Sequence, residues 1–365
     1  MLAHIEKEQL LFGINAVQKF VSTKNIMPIL SHIKIEAKDN LLLFTGTNLD
    51  MGAQCQVPAQ VSQAGSALIP ARHLAEIARR LPDTSVSLEI SPQFELTIRY
   101  EQSIFTLKTM DPEDFPSFPP IENAARFSVK AADLKKMIKY SIFAAGADEL
   151  RALFTGILWD LNGNALTMVG TDTHRLALSK GTVQTDQPLT GQFIIPSKAL
   201  GELGRLIQDE DCQIVMTSNL AYFTFENVVI YCRLLEGVFP DYRSVLPKEY
   251  LFKIRARTRE FLDAVERVAL FAASNDDSRT VRLQIESDRM KIFSQSEFGG
   301  GDETIPVQNE GQDLLIAFNC HYLMDGLKSV EAEEILFELT EALKPGVMRL
   351  IEDDSFTYLI LPVRA

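Results

Sequence analysis

The chain repeats itself at a spacing of 124 residues, and this repeat limits the possible folds more than any other sequence feature. Gly46, Gly170 and Ser294 each end a hydrophobic run, and they lie 124 residues apart from one copy to the next. A period this long indicates three copies of a whole domain, because solenoid repeats are only about 20–45 residues long. The repeated stretches span residues 41–50, 165–172 and 290–296.

Other landmarks keep nearly the same spacing. Pro70 and Pro196 each end a short apolar run and lie 126 residues apart, and Asn319 follows 123 residues later. Phe115 and Phe239 each precede a proline and lie 124 residues apart. Because several landmarks agree on one period, a chance match does not explain them.

Two proline-containing segments lie at the ends of the first two copies, at residues 115–120 and 239–247. Proline interrupts both helices and sheet ladders, so these segments are predicted to be linkers. The predicted domains are residues 1–122, 123–247 and 248–365.

Each copy has the same order of elements, and that order predicts an α+β fold. Leu134, Met137 and Ile138 have the spacing of an amphipathic helix that opens a copy. Short alternating strands, a second helix and further strands follow, which indicates two helices packed on antiparallel sheets in each copy. The six predicted helices cover residues 7–20, 71–81, 131–145, 197–208, 257–273 and 321–330.

Charge is divided unevenly between these helices and the rest of the chain. Lys and Arg number 36 against 49 Asp and Glu, which gives a net charge of −13. The predicted helices hold 14 basic and 8 acidic residues, so they carry +6 and the remainder carries −19. Two interpretations stay open: ordinary solvated helix faces, or a positive surface that attracts phosphates without reading base sequence. The basic excess lies in the first two copies, at Lys7, Lys19, Arg72, Arg79, Arg80, Lys135, Lys136, Lys139, Lys198 and Arg205.

Sequence motifs for catalysis and metal binding are absent. The chain lacks phosphate-binding glycine motifs, a nucleophile elbow and a zincin motif, and its four cysteines form no Cys-x-x-Cys pair. A glycine run at 299–301 lies among acidic residues, which favours a turn over a phosphate cradle. We therefore predict neither a metal nor a cofactor.

The densest polar cluster spans residues 171–176 and has two interpretations. Asp172 and His174 could act as a catalytic pair beside a threonine nucleophile, since residues two apart share one face of a strand. Alternatively, the cluster is a strand end and turn in which Thr and Asp side chains bond local backbone groups. We favour the turn.

The ends and hydropathy of the chain suggest a cellular location. The first seven residues show no basic region followed by an apolar run, as a secretory signal would have. No apolar run approaches the ~18–20 residues of a membrane helix. A cytoplasmic protein without membrane contact is the expectation.

Several motifs together give the chain a specific resemblance. They are the triplicated domain, Thr-Asp-x-His-Arg-Leu at 171–176, Phe-Pro-Asp-Tyr-Arg at 239–243 and Leu-Pro-Val-Arg at 361–364. Over its whole length the sequence resembles the bacterial sliding clamp family, the β subunits of DNA polymerase III. The resemblance implies a non-catalytic processivity factor that encircles duplex DNA as a head-to-tail homodimer and contains no cofactor.

The family architecture gives the charge pattern a meaning. In such a ring the helices line a central hole around DNA, and the sheets form the outer rim. The positions expected to face DNA are Lys24, Arg72, Arg79, Arg80, Lys135, Lys136, Lys139, Lys198 and Arg205.

The resemblance also implies a groove between the second and third domains that binds short Leu- or Phe-containing motifs of partner proteins. The implied partners are the catalytic subunit of polymerase III, the clamp loader, and other polymerases and repair proteins. Two positions depart from the family: Thr173 replaces a usual glycine, and Ser244 replaces a basic residue of the best-known member. The groove positions are Phe154, Thr171, Thr173, His174, Arg175, Leu176, Pro240, Arg243, Ser244, Val245, Met348, Leu359, Ile360, Leu361, Pro362, Val363 and Arg364. Because Pro362 cannot donate a ladder hydrogen bond, we expect strand pairing to stop there and leave the tail on the surface.

The expected dimer interface joins a first-domain strand to the end of a third-domain helix. Ala272 and Ala273 occur where the family has larger aliphatic side chains, which predicts a weaker dimer. A second hypothesis is therefore a clamp-fold scaffold that binds peptides but does not stably encircle DNA. The interface positions are Phe105, Leu107, Phe271, Ala272, Ala273, Glu297, Asp302 and Glu303.

Overall fold

A computed structural model of the chain describes residues 1–22, 27–121, 124–272, 279–297 and 299–364. Three successive rounds of strands and helices run through these residues, as the repeat predicts. The first round comprises β1 (Leu2–Glu6), α1 (Lys7–Val17), β2 (His32–Lys38), β3 (Leu41–Thr47), β4 (Met51–Pro58), β5 (Gln60–Gln63), β6 (Gly65–Pro70), α2 (Ala71–Arg80), β7 (Ser85–Ile90), β8 (Glu95–Tyr100) and β9 (Ser103–Lys108).

The second and third rounds repeat this order with small changes. A 3₁₀ helix, Glu149–Thr155, precedes the first long strand of the second round. The second round comprises β10 (Ala125–Val129), α3 (Ala131–Ile142), β11 (Gly156–Gly163), β12 (Ala165–Thr171), β13 (Arg175–Thr182), β14 (Leu189–Pro196), α4 (Ser197–Leu206), β15 (Cys212–Met216), β16 (Leu220–Phe225) and β17 (Val228–Arg233). The third comprises β18 (Phe252–Arg257), α5 (Thr258–Ala269), β19 (Thr280–Ile285), β20 (Arg289–Ser296), β21 (Gly299–Pro306), β22 (Gln308–Glu310), β23 (Leu314–Asn319), α6 (Cys320–Ser329), β24 (Glu334–Leu339), β25 (Gly346–Leu350) and β26 (Asp353–Ile360).

The strands of the described residues form four antiparallel sheets. Two of them are confined to one round each, with the orders β5-β1-β7-β8-β9 and β21-β20-β19-β23. The other two join neighbouring rounds: β17 pairs with β4 in an eight-stranded sheet, and β13 pairs with β26 in a nine-stranded sheet. The α+β fold class and the six helices are therefore confirmed, with helix ends up to four residues shorter than predicted.

The chain divides into two compact units that do not follow the three copies. One unit contains Met1–Ala131 and Arg205–Leu234, and the other contains Ala132–Gly204 and Leu235–Ala365. The division runs through the second copy because its strands pair with both neighbours. The boundaries predicted at 122/123 and 247/248 stay predictions.

The repeated glycine has a physical reason in the contact between helix and sheet. A Cβ atom at Gly46 would lie 2.6 Å from the carbonyl oxygen of Val17 at the end of α1. A Cβ atom at Gly170 would clash in the same way with the carbonyl oxygen of Ser141 near the end of α3. Val17 and Ser141 are themselves 124 residues apart, so the repeat preserves one close approach. In the third copy, buried Ser294 instead donates a hydrogen bond to the carbonyl of Thr280 (2.9 Å).

The glycine run at 299–301 is a strand, and the prediction of a turn is wrong. Gly299 to Gly301 begin β21 and pair with β20. A Cβ atom at Gly301 would lie 2.7 Å from the ring of Phe271, so the strand needs glycine there to accommodate the aromatic side chain. Among the described residues, no helix is both long and apolar enough to cross a membrane.

Candidate binding groove

The second unit contains an apolar groove of about 200 Å³. Four separate segments form it: the 3₁₀ helix that contains Phe154, the polar turn after β12, the segment that follows residue 238, and the C-terminal strand. Its lining residues are Phe154, Thr171, Thr173, His174, Arg175, Leu176, Phe239, Pro240, Asp241, Tyr242, Val245, Leu359 and Leu361.

The turn between β12 and β13 is fixed by side chain to backbone hydrogen bonds, as the structural interpretation of the polar cluster predicts. Oδ1 of Asp172 accepts from the amides of His174 (2.9 Å) and Arg175 (3.0 Å). The hydroxyl of Thr171 donates to the carbonyl of Arg175 (2.6 Å) and accepts from the amide of Thr173 (3.2 Å). Thr173 has a φ of +81°, which is an unusual conformation for a β-branched residue. Asp172 therefore holds the turn.

Arg175 lines the groove, and its guanidinium group is bound by residues that do not line it. Its Nε donates to Asp172 (2.9 Å), its Nη1 donates to Asp325 on α6 (2.5 Å), and the group stacks on the ring of Tyr322 (4.5 Å). Burial opposes the charge, but contacts with Tyr358, Asp325 and Asp172 outweigh burial and raise the pKa of Arg175. The charge of Arg175 is therefore already paired with acidic side chains.

The segment after residue 238 forms a second wall and is anchored to the sheet. Phe239 and Tyr242 are buried, while Val245 is half exposed at the mouth of the groove. Arg243 does not line the groove, contrary to the prediction, because its guanidinium bonds Asp160 on β11 (2.7 Å).

Ser244 is also absent from the groove lining. Its hydroxyl donates to the carbonyl of Asp241 (2.7 Å) and closes a local turn. Sequence reasoning missed Phe239, Asp241 and Tyr242 as lining residues, although all three belong to the Phe-Pro-Asp-Tyr-Arg motif.

The C-terminal strand presents alternate residues to the groove, and this alternation corrects two predictions. Leu359 and Leu361 line the groove, whereas Ile360 is fully buried in the core on the opposite face of the sheet. Met348 is likewise buried in that core, and its neighbour Val347 packs on the groove side beside Leu359. Successive strand residues point to opposite faces, so a difference of one position determines whether a side chain faces the groove or the core.

The prediction that strand pairing stops at Pro362 is wrong, but the tail does lie on the surface, where Leu361 and Arg364 are exposed. Strand β26 ends at Ile360, and the amide of Leu361 then donates to the carbonyl of His174 (2.9 Å). Pairing resumes after the proline, where the amide of Val363 donates to the carbonyl of Ala317 on β23 (2.9 Å). Pro362, Val363 and Arg364 therefore lie outside the groove lining, and Ala365 is not among the described residues.

The basic helix positions are mostly exposed, but several already have partners. Lys136 pairs with Asp353 (3.3 Å), Lys139 with Glu331 (2.6 Å), Lys198 with Glu149 (3.8 Å) and Arg72 with Glu76 (3.1 Å). Arg79 donates to Gln18 (3.0 Å) and Arg80 to the carbonyl of Glu76 (2.9 Å). Lys135 is half-buried, Arg205 is exposed, and Lys24 lies outside the described residues.

The predicted interface positions lie on or beside two terminal strands of different sheets. Phe105 and Leu107 are on β9, at one end of the five-stranded sheet. Asp302 and Glu303 are on β21, at one end of the four-stranded sheet, where Asp302 pairs with Lys291 (3.2 Å) and Glu303 with Arg267.

The remaining interface positions surround β21. Phe271 packs on the glycines of that strand, and Ala272 packs partly against the core. Glu297 is exposed just before the strand, and Ala273 lies outside the described residues. Beside Phe105, a cavity of about 260 Å³ that the sequence did not predict is lined by His73, Glu76, Ile77, Arg80 and Leu81.

Comparison with known proteins identifies the family. Residues 1–119, 128–241 and 243–364 match, in order, the N-terminal, central and C-terminal domains of the DNA polymerase III beta subunit. The beta sliding clamp of Bacillus subtilis is 33% identical over 99% of this chain and 98% of its own length, and that of Staphylococcus aureus gives the same values.

Solved structures agree over the whole chain. The Bacillus subtilis DNA polymerase sliding clamp matches with a TM-score of 0.94 and 33% identity, covering 100% of this chain and 99% of its own. A sliding clamp from Pseudomonas aeruginosa bound to griselimycin matches with a TM-score of 0.93 and 28% identity, covering 100% of both chains. The three domain matches and the full-length similarity confirm the resemblance, and the chain belongs to the bacterial sliding clamp family, the beta subunits of DNA polymerase III, with the function of a DNA clamp.

Proposed function

We propose that the chain works as a ring of two copies that encircles duplex DNA and holds its protein partners through the groove. The observation that carries the proposal is the apolar groove, whose walls are mainly aliphatic and aromatic side chains from four segments. Grooves of this kind bind short peptides through apolar anchors, and a few polar groups at the rim fix orientation.

A partner peptide would bury Leu or Phe side chains between Leu176, Val245 and Leu361. Val245 and Leu361 are 50% and 38% exposed, so they offer apolar surface that a partner can cover. Each Å² of apolar surface removed from water contributes about 25 cal/mol before the cost of ordering the peptide. The partners we expect are the polymerase III catalytic subunit, the clamp loader, and other polymerases and repair proteins.

The groove is suited to binding and not to chemistry. Both carboxylate oxygens of Asp172 are occupied by the turn and by Arg175, and the charge of Arg175 is neutralised by Asp172 and Asp325. We infer that the protein is a non-catalytic factor of the polymerase and acts in the cytoplasm, where bacterial DNA is replicated.

The ring would close through the two terminal strands β9 and β21. Within the part of the chain that the structure describes, each has one edge of backbone amides and carbonyls that no strand of its own sheet covers. Such edges are natural sites for pairing with another chain. Head-to-tail pairing of β9 with β21 of a second copy would extend one sheet into the next and bury Phe105 and Leu107.

DNA would be held by charge and by the closed ring, without base reading. Helices α1 to α4 carry 9 basic and 4 acidic residues, a net charge of +5, whereas α5 and α6 carry 3 and 4, a net charge of −1. Phosphate contacts of this kind are weak and salt-dependent. A ring that must slide needs little affinity, because the topological link keeps it on the DNA.

Peptide titration tests the groove. Leu361→Ser should weaken binding of a short fluorescein-labelled peptide with adjacent Leu and Phe side chains by about tenfold, measured by fluorescence polarisation. Leu41→Ser is the matched control, since Leu41 is 39% exposed and lies in the other unit. Equal loss in both variants, or none in Leu361→Ser, would contradict the proposal.

Retention on circular DNA tests the ring. A clamp assembled on nicked circular DNA by its loader should stay bound through gel filtration and leave once the circle is cut. A protein that binds the peptide but is never retained on the circle would instead be the peptide-binding scaffold.

A further inference from the structure

Asp160 is a buried carboxylate that does not line the groove but bonds the segment that forms one of its walls. It lies on β11 and is 8% exposed. Its Oδ2 accepts hydrogen bonds from the hydroxyl of Tyr242 (2.8 Å) and from the guanidinium of Arg243 (2.7 Å). Both donors belong to the segment that carries Pro240 and Val245.

Three side chains donate hydrogen bonds to Asp160 and stabilise its negative charge. Thr167 on β12 and Gln192 on β14 are its cross-strand neighbours, and Gln192 also donates a hydrogen bond to it. Burial alone would raise the pKa of Asp160, but the donors of Tyr242, Arg243 and Gln192 outweigh it and lower the pKa. Burial and the bond to Asp160 raise the pKa of Tyr242 to about 12. The carboxylate is therefore ionised and the phenol neutral near pH 7.

The anchored segment has no regular secondary structure of its own to keep it rigid. Residues 234–251 contain no helix or strand, and the bonds of Ser244 and of the Arg243 amide to Asp241 are local. A loop held this way keeps its position only while its buried contacts persist. Replacing the carboxylate by a neutral amide would remove the charge that pairs with Arg243 and weaken the acceptor of the Tyr242 hydroxyl, which costs free energy and favours displacement of the loop.

We propose that Asp160 is a positioning residue for partner binding, which fixes the turn at Tyr242 and Arg243 and thereby holds Pro240 and Val245 in the groove wall. The inference rests on the proposed peptide-binding function of the groove. It assigns a role in binding to a residue whose side chain never meets the peptide, and it predicts that Arg243 acts through Asp160.

The test measures the affinity of the fluorescein-labelled Leu-Phe peptide for the full-length protein. Asp160→Asn should weaken binding about tenfold, and Arg243→Gln should weaken it several-fold. The double variant should be no weaker than Asp160→Asn alone, because both substitutions break one linkage. Arg243 has a side chain that is 60% exposed, so its variant should fold even if a buried substitution does not.

Two controls separate positioning from general destabilisation. Glu338→Gln breaks a comparable buried pair, since Glu338 bonds Arg349 (2.9 Å) on the same sheet but lines no part of the groove. It should change peptide affinity less than about twofold. Trp159, the only tryptophan, is fully buried beside Asp160 on β11, and its fluorescence should be unchanged in Asp160→Asn if the strand stays intact.

The outcomes are distinct. Binding by the unaltered protein that is weakened in Asp160→Asn and Arg243→Gln, but kept in Glu338→Gln, would support the inference. Equal affinity in all three variants would overturn it and leave the groove proposal in place. An unaltered protein that does not bind the peptide would overturn both.

Discussion

The groove and the two terminal strands offer opposite kinds of surface. In the groove, Asp172 bonds the backbone amides of one turn and Asp160 bonds the Tyr242 and Arg243 side chains of another wall, so side chains such as Leu361 are what a partner would meet. At β9 and β21, no strand of the described residues pairs with one edge of the backbone. The difference suggests that partner exchange and ring closure depend on separate groups. A substitution in the groove should therefore weaken partner binding without weakening the dimer, and a substitution on the terminal strands should do the reverse.

A substitution on β9 is expected to have the largest effect, on the dimer and not on peptide binding. Phe105→Ala should weaken the dimer by about 30-fold or more, since a buried aromatic anchor contributes about 2 kcal/mol or more at an interface. Ile104→Ala is the matched control, because Ile104 is 58% exposed and its side chain points to the other face of β9. Sedimentation across a dilution series gives the dissociation constants. Equal weakening by both substitutions would mean that this face of β9 is not the interface.

Removing the end of the chain should have the next largest effect, on the groove alone. Deletion of residues 361–365 removes Leu361 from the wall and the bond of Val363 to Ala317, so peptide affinity should fall by about tenfold or more. Deletion of residues 362–365 keeps Leu361 and should cost less. The dimer should persist in both, measured by sedimentation. Loss of the dimer together with peptide binding would show that the two surfaces are not independent.

Charge reversal on the helices should weaken DNA binding while leaving both surfaces intact. Replacing Arg79, Arg80, Lys136 and Lys198 by Glu should make the plot of log affinity against log salt shallower, by roughly 0.9 in slope for each phosphate that is no longer neutralised. Lys38→Glu and Lys248→Glu serve as controls, because these exposed lysines lie outside the helices. An unchanged slope would contradict the assignment.

The smallest expected effect is a gain in stability at Thr173. Its φ of +81° is costly for a β-branched residue, so Thr173→Gly should raise the free energy of unfolding by about 1 kcal/mol in urea titrations. Thr173→Ala should gain less, because alanine keeps a Cβ atom. A loss of stability in Thr173→Gly would show that side-chain contacts in the groove outweigh the strain.

The fold and the three groove segments that carry motifs can be predicted from the sequence. The repeat and the motifs are each contained in a continuous stretch of residues. The face of each strand is harder to predict. The resemblance places Met348 and Ile360 in the groove, yet Val347, Leu359 and Leu361 are on that side. A shift of one residue reverses the face, and a strand that is apolar on both sides gives no alternation to read.

Long-range ion pairs are beyond the reach of the sequence for a different reason. Arg243 and Asp160 are 83 residues apart, and Lys139 and Glu331 are 192 apart. Counting charges treats every lysine on a helix as available, and only the fold reveals which already have an acidic neighbour. The observed helices carry 12 basic and 8 acidic residues, so their excess is +4 and smaller than predicted.

The pairing of β17 with β4 and of β13 with β26 has a consequence for how the protein folds during synthesis. An isolated copy cut out at the repeat boundaries would expose strand edges that the neighbouring copy normally covers, and exposed edges invite aggregation. The two compact units therefore extend across the boundaries of the three sequence copies. During synthesis, strands β11 to β14 of the middle copy leave the ribosome before β26, so the edge of β13 stays unpaired until β26 has been made.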